Sequence, residues 1–118
     1  MLDFYDAHGR PTHYSPDDEH LYSWDGRPAG YLTDSAVYTF TGRFLGWFEN
    51  GWLRDRANRP VLFSRAAIGG PLQPERRLPA LRAQRHVRPL KGLRETRPEK
   101  PCAVRDWSRL SASAFFEQ

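Results

Sequence analysis

Residues 21–52 read LYSWDGRPAGYLTDSA (21–36) and VYTFTGRFLGWFENGW (37–52), and these two 16-residue segments share one pattern. An apolar residue opens each segment, a Gly-Arg pair begins five residues later, and an aromatic residue stands four residues after the arginine. The pattern recurs in FYDAHGRPTHYSPDDEH, which starts at residue 4, and in LRDRANRPVLFSR, which starts at residue 53. The first half of the chain is therefore predicted to contain four copies of one structural unit.

Three columns of this repeat are occupied in every copy. The opening apolar residues are Phe4, Leu21, Val37 and Leu53. The repeat arginines are Arg10, Arg27, Arg43 and Arg59. The aromatic residues that follow them are Tyr14, Tyr31, Trp47 and Phe63. We predict that the apolar and aromatic columns form the core.

Each unit has the pattern of a β-hairpin. Asp25-Gly26 is typical of a tight hairpin turn, which needs positive φ at its central residues, and Asn58 can replace glycine there because Asn tolerates the left-handed region. A single hairpin is marginally stable in water, whereas four in sequence can close around a pseudo-fourfold axis. The predicted fold of residues 1–65 is therefore all-β, with four repeated hairpins in a flower- or propeller-like arrangement.

Residues 66–105 are basic and proline-rich, and their pattern has a period of three. Cations occupy every third position in the series Arg82, Arg85, Arg88, Lys91, Arg94, Arg97 and Lys100. Mostly apolar residues stand one position earlier, and prolines recur in the remaining phase. A polyproline II helix has three residues per turn and would separate these classes into three faces, so we predict an extended, PPII-like basic arm.

Two uses of this arm follow from its sequence. Residues 1–64 carry six basic and nine acidic residues (6 − 9 = −3), and residues 65–118 carry twelve basic and five acidic ones (12 − 5 = +7). The arm could bind its own β domain, with its apolar face packed on the domain and its cations over aromatic rings or beside acids. The alternative is binding to the phosphate backbone of RNA or DNA. The regular apolar phase favours the first use, within one chain or between chains.

The C-terminal segment, residues 106–118, is predicted to be a short anchor that packs on the domain. Val104, Trp107, Leu110 and Ala114 have helical spacing, and Asp106 or Ser108 could cap a short helix. Its aromatic anchors are Trp107, Phe115 and Phe116. They either dock on the chain's own β domain or reach a neighbouring subunit or partner protein.

No catalytic arrangement stands out in the sequence. His8, His13 and His20 lack zinc-like spacing, and Cys102 is the only cysteine, so it cannot form an internal disulfide. The four repeat arginines could surround an anion or pair with nearby acids such as Asp25. We predict no enzyme activity, no metal and no cofactor.

The sequence also lacks features of export and of membrane insertion. No stretch approaches the roughly 20 apolar residues that span a bilayer. The N-terminus has no secretory signal pattern, so a cytoplasmic location is expected and no membrane partner is predicted.

Two known families share parts of this pattern. YDAHGRP and YSWDGRP, in the first two copies, are similar to the YD repeats of large bacterial shells. The four GRP-type hairpins, with LGWFENGW in the third and WSRLSASAFF near the C-terminus, resemble the four-fold β-flower domain over nearly the whole chain. That resemblance implies a bacterial protein of the predicted fold, with no established biochemical activity. The sequence thus indicates a non-enzymatic protein-binding or self-assembly module, and the alternative is nucleic-acid binding.

Overall fold

The polypeptide forms eight β-strands that close into one antiparallel barrel, as seen in a computed structural model that describes residues 1–118. The strands are β1 (Leu2–Tyr5), β2 (Pro11–Ser15), β3 (His20–Ser23), β4 (Pro28–Thr33), β5 (Ala36–Tyr38), β6 (Phe44–Glu49), β7 (Trp52–Arg54) and β8 (Pro60–Phe63), and the helix is α1 (Ala112–Phe116). Each strand pairs with the next in the chain, and Tyr5 in β1 lies opposite Phe63 in β8 to close the barrel. The predicted all-β, four-hairpin fold is confirmed.

The four tight turns are built alike. Gly9, Gly26 and Gly42 have positive φ, and Asn58 adopts the same left-handed conformation with φ of 60°. A side-chain oxygen four residues before each repeat arginine accepts a hydrogen bond from that arginine's backbone N–H, at 2.9–3.2 Å. These acceptors are Asp6, Ser23, Thr39 and Asp55. They form a further column of the repeat, because each side chain can satisfy a donor that the turn leaves free.

The strands have an inner and an outer apolar face. Phe4, Leu21, Val37 and Leu53 are fully buried in the barrel interior, as predicted. The aromatic column is also buried, but it lies outside this interior cluster: Tyr31 and Trp47 belong to a second cluster and Phe63 to a third. Strand side chains alternate between faces, so the barrel carries aromatic rings on its outer wall as well as a core inside.

The predicted short C-terminal helix is confirmed, and it packs on the barrel. Phe115 is fully buried among the interior residues, and the ring of Phe116 lies 4.3 Å from that of His13. Trp107 precedes the helix and packs edge-on against Trp52, with ring centroids 5.6 Å apart. All three aromatic anchors therefore contact the chain's own β domain.

The helix is shorter than its spacing predicted. Its N-cap is Ser111, whose hydroxyl accepts from the Ala114 N–H at 3.1 Å. The predicted caps Asp106 and Ser108 are wrong, because Ser108 Oγ donates to Asp55 in the barrel instead. The segment that contains Val104 is held to the fourth turn by a hydrogen bond to Asn58, so it cannot join the helix.

Between residues 72 and 105 the chain forms neither helix nor strand. The whole molecule measures 38 × 36 × 21 Å, which is the shape of a thick disc. The arm lies around this disc and is hydrogen-bonded to all four hairpin turns.

Candidate functional site

The arm contacts the barrel in steps of nine residues. Four arm N–H groups donate to the carbonyls of the four turn residues, at 2.8–3.1 Å. The pairs are Arg77 to Gly9, His86 to Gly26, Glu95 to Gly42 and Val104 to Asn58. Successive donors are nine residues apart, so one hairpin corresponds to three turns of a three-residue helix. The arm therefore repeats in register with the barrel.

The length of this step fits the size of the disc. Nine residues in PPII geometry span about 28 Å, and four such steps span roughly 110 Å. A circle of that circumference has a radius of about 18 Å, which is half of the 38 and 36 Å extents of the molecule. A PPII-like arm of this register is just long enough to surround the disc.

A second set of backbone bonds lies three arm residues before the first. The N–H groups of Ala83 and Gly92 donate to the carbonyls of Trp24 and Phe40, two residues before the turn glycine, at 3.1 and 2.6 Å. The equivalent arm positions in the first and fourth repeats are Pro74 and Pro101. Proline has no N–H, so these two repeats hold the arm by one N–H at the turn instead of two.

The turn glycines are needed where the arm passes over them. A Cβ at Gly26 would lie 2.2 Å from the carbonyl oxygen of Gln84, far inside contact distance. At the fourth turn Asn58 replaces glycine, and its side-chain amide donates to the carbonyl of Pro101 at 2.8 Å. The turn residues thus form the hairpins and also allow the arm to pack on them.

Three arm arginines lie over tyrosine rings of the outer wall. Each is the residue before a turn-bonded N–H, and each guanidinium is 5.7–5.8 Å from a ring centroid. The pairs are Arg76 over Tyr5, Arg85 over Tyr22 and Arg94 over Tyr38. Each tyrosine directly follows an interior residue on β1, β3 or β5 and so faces the opposite side of the strand.

A second series of cations pairs with carboxylates of the β domain, and two of its members also lie over the aromatic column. Arg82 lies 4.5 Å from the centroid of Tyr14 and pairs with Asp3 at 3.2 Å. Lys91 lies 4.5 Å from the centroid of Tyr31 and pairs with Glu19 at 3.1 Å. Lys100, nine residues further on, pairs with Glu49. Each of these cations thus has a carboxylate partner in the β domain.

The two remaining predicted cations bind the loops between hairpins. Arg97 donates to the carbonyl of Asp34 at 2.7 Å, and Arg88 lies 3.6 Å from the carboxylate of Asp17. Partial desolvation alone would raise the pKa of Asp17, but N–H donors of Glu19 and His20 and the His20 ring hold that pKa well below its usual range. The Asp17 carboxylate is therefore negatively charged at neutral pH and attracts the Arg88 guanidinium.

The apolar phase of the arm points away from the barrel. Leu78, Leu81, Val87, Leu90 and Leu93 are 94–99% exposed, and we call these five residues the outward stripe. Side chains of the paired arm cations are only about a third to a half exposed, for example 33% for Arg82 and 41% for Lys91. The prediction that the apolar face packs on the β domain is therefore wrong.

The physical reason lies in the outer wall itself. The side of the wall that meets the arm is a ring of tyrosine faces bordered by Asp and Glu, and both groups attract cations. A row of leucines would cover those carboxylates without pairing them, which costs free energy. The basic face of the arm is therefore the face that packs on the barrel.

Two of the four repeat arginines have a carboxylate partner within their own turn. Arg10 pairs with Asp6 at 3.0 Å and Arg27 with Asp25 at 3.3 Å, each within its own turn. All four repeat arginines donate their backbone N–H to a side-chain oxygen of the turn.

Arg54 is a buried site residue that the sequence analysis missed. It follows the interior Leu53 as the outer-wall tyrosines follow theirs, and its Nη1 donates to the carbonyls of Asn58 and Val104 at 2.9 and 3.0 Å. Burial lowers the pKa of the Arg54 guanidinium, and the charge of the adjacent Asp55 raises it again. Aligning the arm in steps of nine residues would have singled out this position, because Ala103 there replaces the arginine of the other steps.

Two further observations concern metal binding and membrane-spanning helices. No group of three or more His, Cys, Asp or Glu side chains is arranged to hold a metal ion. No helix in the chain has the length and apolar character required to cross a bilayer.

A closed barrel of four like hairpins, encircled by its own basic segment and plugged by a short helix, defines a small all-β module with fourfold internal repetition. The chain belongs to the 4-fold beta flower protein family, which matches it over residues 2–116. The match includes the arm and the helix, and it confirms the resemblance seen in the sequence. No curated protein and no solved structure shows significant similarity to the chain.

Proposed function

We propose that this chain is a non-enzymatic protein-binding module whose barrel serves to hold the arm with its outward stripe toward solvent. One observation carries the proposal: the cations of the arm face the barrel, while the five apolar side chains of the stripe are at least 94% exposed. Large apolar side chains grouped on a surface are typical of sites that contact another macromolecule.

The energetics support a binding role for the stripe. Complete burial of a Leu or Val side chain stabilises a complex by roughly 1.5–3 kcal/mol. The barrel already fixes the arm through six backbone hydrogen bonds between arm N–H groups and the repeats, so a partner need not order it. The stripe is therefore a pre-organised apolar ligand.

The nucleic-acid alternative stays a prediction, and the geometry gives it little support. Asp3, Glu19 and Glu49 already pair with arm cations, and tyrosine rings cover others. A phosphate backbone would have to replace these internal partners one by one. The expected cytoplasmic location also stays a prediction.

Limited trypsin digestion with intact mass measurement tests whether the arm is held. Trypsin cleaves after Arg and Lys, which are dense between Arg76 and Arg105. We expect the arm to survive in the full chain without any addition, because the target side chains are seated on the barrel. Rapid removal of the arm that an added RNA or DNA oligonucleotide prevents would contradict the proposal and support the alternative.

Photo-crosslinking tests the binding role itself. A photoreactive amino acid is placed at Leu90 in the stripe and, as a control, at the exposed Ala114 on α1. We expect covalent protein adducts in cells from position 90 and none from position 114. Absence of any adduct from position 90 would count against a protein-binding role.

A further inference from the structure

We infer that the central part of the outward stripe, Val87, Leu90 and Leu93, is a self-association site that binds the same three residues of a second copy of this chain. This inference rests on the proposed function and names the partner. The three side chains are 94–95% exposed and follow one another at intervals of three residues on the same face of the arm.

The patch is self-complementary under a two-fold rotation. Leu90 lies midway between Val87 and Leu93, and the next outward positions on either side, Gln84 and Thr96, are both polar and uncharged. A two-fold axis through Leu90 therefore places Val87 opposite the partner's Leu93 and Leu90 opposite the partner's Leu90. Closed two-fold dimers require such a match of a surface with itself.

Charge also favours a copy of this chain as the partner. The cations within this stretch, Arg88, Lys91 and Arg94, are turned toward the barrel, so the patch presents no charge of its own. An acidic or basic partner would find no counter-charge in it. An uncharged apolar strip of equal length is its complement, and the second copy carries one.

The curvature of the disc limits the extent of contact. On a rim of about 18 Å radius, positions three residues from Leu90 recede by about 2 Å on each copy, so the gap between the copies widens by about 5 Å there. Six residues away it widens by about 18 Å, which confines the contact to positions 87, 90 and 93. Six side chains, three from each copy, then bury on the order of 600 Å² in total. Stable complexes bury about 1,200–2,000 Å², so the dimer is expected to be weak and concentration-dependent.

Salt provides a sign test. Each copy carries a net charge of +4, so two copies repel each other at low ionic strength. Sulfate screens this repulsion and strengthens apolar burial, so it should favour the dimer. Binding of the arm to nucleic acid would respond to salt in the opposite direction.

Sedimentation velocity of the full-length chain, from about 10 μM to about 1 mM, tests the inference. We expect the weight-average sedimentation coefficient to rise with concentration and with added sulfate. Leu90→Ser should weaken the association at least tenfold, because the substitution acts twice at the axis. The matched control Leu78→Ser, at a position 96% exposed on the same stripe, should leave association unchanged.

A cysteine pair tests the two-fold geometry. In a Cys102→Ser background, Leu90→Cys should form a disulfide between copies under mild oxidation faster than Leu78→Cys does. Because all these side chains are exposed, the thermal midpoint of each variant should equal that of its parent, which separates lost association from lost folding.

A sedimentation coefficient that stays constant to about 1 mM, or equal effects of Leu90→Ser and Leu78→Ser, would overturn the inference. The proposed function is judged separately by the adducts from position 90. Adducts with other proteins alone would leave a protein-binding module without self-association, and the absence of all adducts would remove both.

Discussion

Arg54 of the barrel donates a hydrogen bond to the carbonyl of Val104 in the arm, at 3.0 Å, and Val104 donates back to the fourth turn at Asn58. In the first three repeats the barrel supplies a tyrosine at this place and the arm supplies an arginine. In the fourth repeat the arginine is on the barrel, as Arg54, and the arm has Ala103. This exchange disfavours a slip of the arm by nine residues, because such a slip would place Arg94 against Arg54.

The exchanged pair predicts a rescue experiment. Arg54→Tyr alone removes two hydrogen bonds and leaves the part-buried carbonyl of Val104 without its side-chain partner, whereas the Asn58 carbonyl keeps the Val104 N–H, so the substitution should cost about 1–3 kcal/mol of unfolding free energy. Ala103→Arg alone places a second cation beside Arg54 and should also destabilise. The double variant recreates the arrangement of the other repeats and should recover much of both losses, as measured by urea unfolding. Additive losses would show that the two positions are not coupled.

Gly26→Ala should release the arm at the second turn. The new methyl group would lie 2.2 Å from the Gln84 carbonyl, and φ at this residue is 89°, which strains any residue with a Cβ. We expect a loss of about 1–3 kcal/mol together with faster trypsin cleavage within the arm. Gly69→Ala is the control, because φ there is 70° but no atom lies within 4 Å of the added Cβ. Equal effects of the two substitutions would mean that the seat of the arm contributes nothing at this turn.

The pairing of Arg85 with Tyr22 should appear as a coupling free energy. A double-mutant cycle with Arg85→Ala and Tyr22→Leu is expected to give about 0.5–2 kcal/mol, because the Tyr22 ring under the guanidinium is buried and a desolvated cation–ring contact is stronger than an exposed one. The same cycle between Tyr22 and Arg76, which lies over Tyr5 in another repeat, should give a coupling near zero. A coupling of the same size in both cycles would indicate a general charge effect in place of a specific contact.

Acid should destabilise the chain through His13. Burial lowers the pKa of His13 from 6.5 to about 4, partly opposed by the charge of Asp25. The unfolded chain therefore binds a proton more readily than the folded one, so stability is complete above pH 6.5 and falls as the pH drops toward 4. The loss amounts to about 3 kcal/mol, from 1.36 kcal/mol per pH unit.

Unfolding free energies measured between pH 7 and pH 4 check this expectation. His13→Leu places at this position the residue that the fourth repeat has at Leu62, and it should remove the slope. His8→Leu, at an exposed turn position, should leave the slope intact. A slope that persists in His13→Leu would assign the acid sensitivity to other groups.

The hairpins could be predicted from sequence because side chains specify them. Glycine or asparagine marks the left-handed residue of the turn in each of the four repeats, and Phe4, Leu21, Val37 and Leu53 mark the interior. Which face of the arm packs on the barrel could not be predicted in this way. A period of three defines the faces of an extended chain, but the choice between them depends on the Tyr rings and carboxylates of a wall that exists only after the barrel closes.

The nine-residue step of the arm was hidden for a related reason. The residues that bond to the turns are Arg77, His86, Glu95 and Val104, which have no side-chain property in common. They act through the backbone N–H, which every residue except proline carries. The nine-residue step can be recognised only once the acceptor carbonyls are known, and these lie 46–68 residues earlier in the chain.

The length of the arm also depends on the number of hairpins. The barrel grows by about sixteen residues for each hairpin, whereas the segment around it grows by nine, and both must return to the same starting point. A chain that gained a fifth hairpin would leave one turn unbound unless its arm lengthened by nine residues at the same time. Insertions in the two halves of such proteins are therefore expected to be inherited together, in the fixed ratio of sixteen to nine.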